Sequence, residues 1–87
     1  MSAAPELTQA SRHCAGLFRL GRDVEAALTM VELFTALMPL FFEGAVEARQ
    51  QWLRLLQLML TCQEGQDWLG LADYLDYELV ALLESEV

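Results

Sequence analysis

The chain contains no lysine, no isoleucine and no asparagine, and among its 87 residues only one histidine (His13), two prolines and two cysteines. Each scarcity excludes something. With arginine only at 12, 19, 22, 49 and 54 against 13 Asp and Glu, the formal net charge is −8, and such a chain repels nucleic-acid phosphates and anionic lipid. Neither a nucleic acid nor a membrane is an expected partner. Cys14 and Cys62 lie far apart, form no CxxC pair and cannot close a metal site by themselves. They read as buried free thiols, a disulfide being open only to an exported chain. His13 has no Ser, Cys and acid around it spaced as a nucleophile motif, and the Glu-x-x-His pairs of a helical di-metal site are missing. No cofactor, no bound metal and no enzymatic activity are expected.

What is present is apolar and helix-forming. Hydrophobic residues make up 55% of the chain, with eighteen leucines and eleven alanines, so disorder is excluded and an all-α fold is expected. A mass of 9.8 kDa leaves room for one helical domain over residues 1–87. A chain of this size hides only about 60–65% of its unfolded surface, so apolar area is left over and points to a partner. The start Met1-Ser2-Ala3-Ala4-Pro5-Glu6 has neither the basic residues nor the apolar stretch of a signal peptide, which suggests a cytoplasmic protein. The most apolar window, Leu33 to Phe42, holds Pro39 and is bounded by Glu32 and Glu43. It falls short of the roughly 20 residues a bilayer requires.

Gly21, Gly44 and Gly65 divide the chain into four helical stretches, predicting a small four-helix bundle of two antiparallel hairpins. The first helix runs from about Pro5 to Leu20, with Leu7, Ala10, Cys14, Leu17 and Phe18 inward and Thr8, Arg12 and Arg19 outward. A second starts at Asp23, its expected cap, and runs toward Leu40 with Ala27, Leu28, Val31, Phe34, Leu37 and Met38 inward; Pro39 kinks or ends it. The third spans about Ala45 to Gln63, with Trp52, Leu55, Leu56, Met59, Leu60 and Cys62 in one stripe. The fourth, capped by Asp67, reaches Leu83 with Trp68, Leu71, Ala72, Leu75, Leu79 and Leu82 on one face. Its other side carries Leu69, Tyr74, Tyr77, Val80 and Leu83, so burial on two sides is expected.

Laying Gly21-Arg22-Asp23-Val24 over Gly65-Gln66-Asp67-Trp68 aligns the two halves at an offset of 44, pairing Ala27 with Leu71 and Val31 with Leu75. The stretch Leu17 to Leu28 resembles the turn of a tetratricopeptide hairpin, although the 34-residue period of that family is missing. The hairpin Trp52 to Leu83, with Leu71-Ala72-Asp73-Tyr74-Leu75-Asp76-Tyr77-Glu78-Leu79 in its last helix, resembles the small acidic all-helical chaperones of flagellar and type III export. That resemblance implies a non-enzymatic, chaperone-like adaptor.

Seven acids and no basic residue follow Arg54, either as a solvated face or as a docking surface for a basic partner. Interleaved Trp and Tyr favour docking, which makes Trp68, Leu71, Tyr74, Leu75, Tyr77 and Val80 the expected contact, steered by Asp73, Asp76 and Glu78. The partner would be another protein or a second copy of the chain, met through residual apolar surface on the second and fourth helices. Two other readings stay open: a purely structural homodimer, and a small enzyme subunit using Asp73 and Asp76, which lie three apart on one helix and could share a cation or a proton. Met30, Met38, Met59, Phe34, Phe41 and Phe42 either fill the core or line a groove. The end Ser85-Glu86-Val87 matches the loose Ser-x-Val pattern of carboxylate-capture peptides.

Overall fold

The computed structural model describes residues 4–86; the first three residues, on which the signal-peptide expectation partly rests, and Val87 of the Ser-x-Val pattern lie outside it. It is all-α. Helix α1 spans Ala4–Arg19, α2 Asp23–Phe42 and α3 Val46–Glu64. The last helix is three pieces run end to end: α4 (Trp68–Asp73), a π-helical turn (Tyr74–Glu78) and α5 (Leu79–Glu86). Three-residue connections fold these rods into two antiparallel hairpins arranged as a ring, with α1 against α2 and against the last helix, and α3 against the last helix and α2.

The turns within the two hairpins have the same geometry, but one residue out of the expected alignment. The amide of Gly21 donates to Phe18 and that of Arg22 to Leu17; in the second half Gln66 donates to Gln63 and Asp67 to Cys62, an offset of 45. Each is the double hydrogen bond of a Schellman close, which requires a left-handed residue. That residue is Gly21 at φ +76° in the first turn and Gln66 at φ +56° in the second, whereas Gly65 has an ordinary φ of −86°. Ala26 therefore corresponds to Leu71 and Met30 to Leu75, all four buried.

The inward side of α2 is likewise rotated by about one residue from expectation. A residue turns about 100° around a helix, so the expected inward set is displaced as a block. The buried stripe is Ala26, Met30, Leu33, Leu37 and Phe41, while Leu28 (64% exposed), Val31 (61%) and Met38 (39%) face solvent. Of the expected set Leu37 is buried and Ala27 and Phe34 are half-buried. Asp23 does not cap the helix: the cap position is Arg22, without a side-chain bond, and Asp23 is the first helical residue. Pro39 does not end the helix, which continues through it to Phe42.

The other helices follow their expected faces more closely. Cys14, Leu17 and Phe18 of α1 are buried, but so is Thr8, expected outward. In α3, Trp52, Leu55 and Met59 are buried and Leu60 is 44% exposed. Trp52 is the centre of the α2–α3 contact, stacked on Phe41 at 5.2 Å between centroids and edge-on to Phe34 at 5.4 Å. Its indole N–H has no acceptor among the described residues, so the site is held by apolar contact alone.

The π turn follows from leucine spacing. Leu71, Leu75, Leu79 and Leu83 recur strictly every four residues and all are fully buried. On an ideal α-helix three such steps drift by about 120°, which would carry Leu83 out of the core. One underwound turn removes most of that drift, and the amide of Leu79 accordingly bonds back five residues to Tyr74. The buried Ser11 hydroxyl of α1 donates to the Leu75 carbonyl within this turn, pinning the two helices together there.

Because Gln66 carries the left-handed conformation, Gln66→Gly is expected to raise stability by about 0.5–1 kcal/mol, and Gln66→Val to lower it by about 1 kcal/mol. Gly65→Ala should be tolerated, since a Cβ there meets the Thr61 carbonyl at an ordinary 3.6 Å. Urea unfolding of the three variants measures all of this; a stability loss for Gln66→Gly would contradict the assignment.

Candidate functional site

The nine residues expected to form a partner contact separate by burial. Leu71 and Leu75 are fully buried and Val80 is 4% exposed, so none can touch a partner in this fold. They are core residues, placed there because the last helix presents its leucine row to α1 and α3. Trp68 is half-buried, stacked on Phe18 at 5.6 Å between centroids, and Tyr74 is half-buried against the core. Tyr77, Glu78 and Asp73 are exposed. Together with Tyr74, Cys62, Asp67 and Gly70 they line an open groove of about 360 Å³ between the end of α3 and the last helix.

The paired aspartates are engaged within the chain. Arg19, the last residue of α1, donates from one guanidinium nitrogen to Asp76 at 2.8 Å and from the other to Asp73 at 2.8 Å. Arg12 approaches Asp76 at 3.8 Å, and the Arg19 guanidinium lies 5.9 Å from the centre of the Tyr77 ring. The hydrogen bonds that Arg19 donates to Asp76 and Asp73 push its already high pKa further up. The cation that Asp73 and Asp76 share is thus an arginine of their own chain, and their first role is to fasten α1 to the π turn. Among the described residues no group of three or more His, Cys, Asp or Glu is placed to hold a metal ion. His13 is exposed on α1.

The cysteines are free. Cys14 is fully buried with its thiol 3.4 Å from the Ala26 carbonyl, and burial pushes its pKa from 9.0 up to about 12. Cys62 is half-buried, and burial, then the charge of Asp67, raise its pKa as well. Neither thiol has the depressed pKa of a nucleophile.

The residual apolar surface expected on the second helix is present, but on other residues than its expected outer side. Val24, Leu28, Val31, Met38 and Phe42 are 78%, 64%, 61%, 39% and 44% exposed, and they follow one another at helical spacing down the outside of a single helix. Val24 and Phe42 flank the block that was expected inward, and the half-buried Phe34 sits at its edge. The methionines and phenylalanines divide accordingly: Met30, Met59 and Phe41 are core, Met38 and Phe42 are surface. By length and composition α2 is also long and apolar enough to cross a membrane, with a mean hydropathy of 1.6 over its most apolar window, of which only 28% is buried. The signal for this face was present in the sequence as two interleaved apolar stripes on one helix; choosing which stripe pointed inward required the turn geometry.

Comparison with known proteins finds no matching family model, no matching curated protein and no matching solved structure.

Two outcomes follow from the ion pairs and the thiol. Arg19→Ala should lower stability by about 1 kcal/mol in dilute buffer, with Arg19→Lys restoring less than half because one ammonium cannot reproduce the two-pronged geometry. Added salt should narrow the difference in urea unfolding. For Cys14, the folded pKa lies above the unfolded one, so its contribution is complete below about pH 9 and is lost as pH rises toward 12. Between about pH 9 and pH 10.5 the wild type should lose stability faster than Cys14→Ala, by up to about 1.4 kcal/mol per pH unit. Equal alkaline slopes would contradict the burial of this thiol.

Proposed function

We propose that the chain is a non-enzymatic protein-binding module, an adaptor of the kind that small helical export chaperones represent, and that its docking surface is the outer face of α2 rather than the last helix. The observation carrying this reading is the exposed row Val24, Leu28, Val31, Met38 and Phe42. With Leu20, 72% exposed at the adjoining turn, it puts six large apolar residues on one surface, at the upper end of what soluble monomers leave in a single patch. The acids of the last helix give weaker support for a contact there, because Asp73 and Asp76 are already paired with Arg19 and three of the expected anchors are internal. The same pairing weakens the enzyme reading, since the carboxylate oxygens that would move a proton are turned to a guanidinium.

The test is affinity purification from the native cell with wild type, with Leu28→Glu, and with Tyr77→Ala, after circular dichroism has established equal helix content. Leu28→Glu should lose the associated proteins, further copies of the chain among them, and Tyr77→Ala should keep them. An unchanged set with Leu28→Glu would overturn the placement on α2.

A further inference from the structure

We infer that the occupant of the α2 face is a second copy of this chain, seated antiparallel so that two α2 helices form the seam of a twofold dimer; the inference rests on α2 being the docking face.

The spacing comes first. Val24, Leu28, Val31, Thr35, Met38 and Phe42 advance by four, three, four, three and four residues, which is the a/d pattern of a two-helix seam. The one polar member fits the pattern through its hydrogen bond: the exposed Thr35 hydroxyl donates to the Val31 carbonyl of its own helix at 2.7 Å, leaving the methyl group for a neighbour.

The row is self-complementary when reversed. Paired about residue 33, Val24 meets Phe42 of the second copy, Leu28 meets Met38 and Val31 meets Thr35. Leu20 and Val46, 72% and 52% exposed, continue the same pairing in sequence. A twofold interface demands this relation, because residue i must meet j as j meets i. Antiparallel seating also runs the two helix dipoles in opposite directions, which favours neighbouring helices. Parallel seating would place Asp23 and Glu25 beside their own counterparts. Covering the six exposed residues on both copies sets an upper bound of about 1,200 Å² in total, at the low end of specific interfaces. Glu32, on the flank near the centre, is brought toward its counterpart, so association should strengthen with added salt.

Sedimentation equilibrium across a wide concentration range tests the partner, and cysteine cross-linking tests the orientation. The wild type should move from 9.8 kDa toward twice that mass. Val31→Glu, at an exposed position beside the axis, should weaken association at least a hundredfold with unchanged helix content, while Thr35→Val should tighten it. In a Cys62→Ser background, Val24→Cys chains mixed with Phe42→Cys chains should form the mixed disulfide, and Val24→Cys alone should not link to itself. Efficient self-linking of Val24→Cys would overturn the antiparallel seam. A wild type that stays at the single-chain mass, or that floats with phosphatidylcholine vesicles through the same face instead of associating, would overturn the second copy as occupant. If Leu28→Glu still lost its cellular partners in that case, α2 would stand as the docking face for a different protein.

Discussion

A ring of four helices offers each helix one inward direction, and α2 is apolar in two. Its buried stripe Ala26, Met30, Leu33, Leu37 and Phe41 meets α1 and the aromatic cluster around Trp52. Whatever else the helix carries has nowhere inside to go, because a core this small is filled by one stripe from each helix. The exposed apolar row is thus a consequence of composition acting on a fixed number of sides, and the surplus appears on the helix with the most apolar residues all round.

The last helix meets the same constraint differently. It too is apolar on more than one stripe, yet it lies against both α1 and α3, and its π turn keeps a four-residue leucine repeat pointing at them. Of the residues expected on its second side, Val80 and Leu83 are buried, whereas Leu69 and Tyr77 are each 64% exposed. Ser11 and Arg19 of α1 both bond to this region, one at the Leu75 carbonyl and the other at the Asp73 and Asp76 carboxylates. Two side chains from one helix therefore hold the segment where the helical pitch changes, which converts an acidic pair that looks reactive in the sequence into a fastening.

The halves of the molecule echo each other in backbone more than in residue type. Gly21 and Gln66 occupy equivalent left-handed positions, and an amide, not a glycine, fills the second. An alignment anchored on the glycines is displaced by one residue, and on a helix one residue is more than a quarter of a turn. On α2 the structure buries the stripe Ala26, Met30, Leu33, Leu37 and Phe41, which leaves Val24, Leu28 and Val31 outside, while on the last helix it takes Leu71, Leu75 and Val80 inside. The faces of α1 and α3 were legible because each has one dominant apolar stripe. That of α2 was not, because two stripes of equal strength fit the same periodicity.

Amino-acid content alone determined that this chain is all-helical, that it breaks into four rods near its glycines, that Asp67 caps the last of them, and that apolar surface exceeds what one small core can hide. Those properties are local or additive: propensity, cap chemistry and surface-to-volume scaling need no knowledge of neighbours. Only the tertiary structure decided which side of α2 is outside, that Asp73 and Asp76 face Arg19, and that Leu71, Leu75 and Val80 are internal. Each of these depends on the rotation of one helix relative to another, and that rotation is set by turn geometry and by packing between residues more than 50 positions apart.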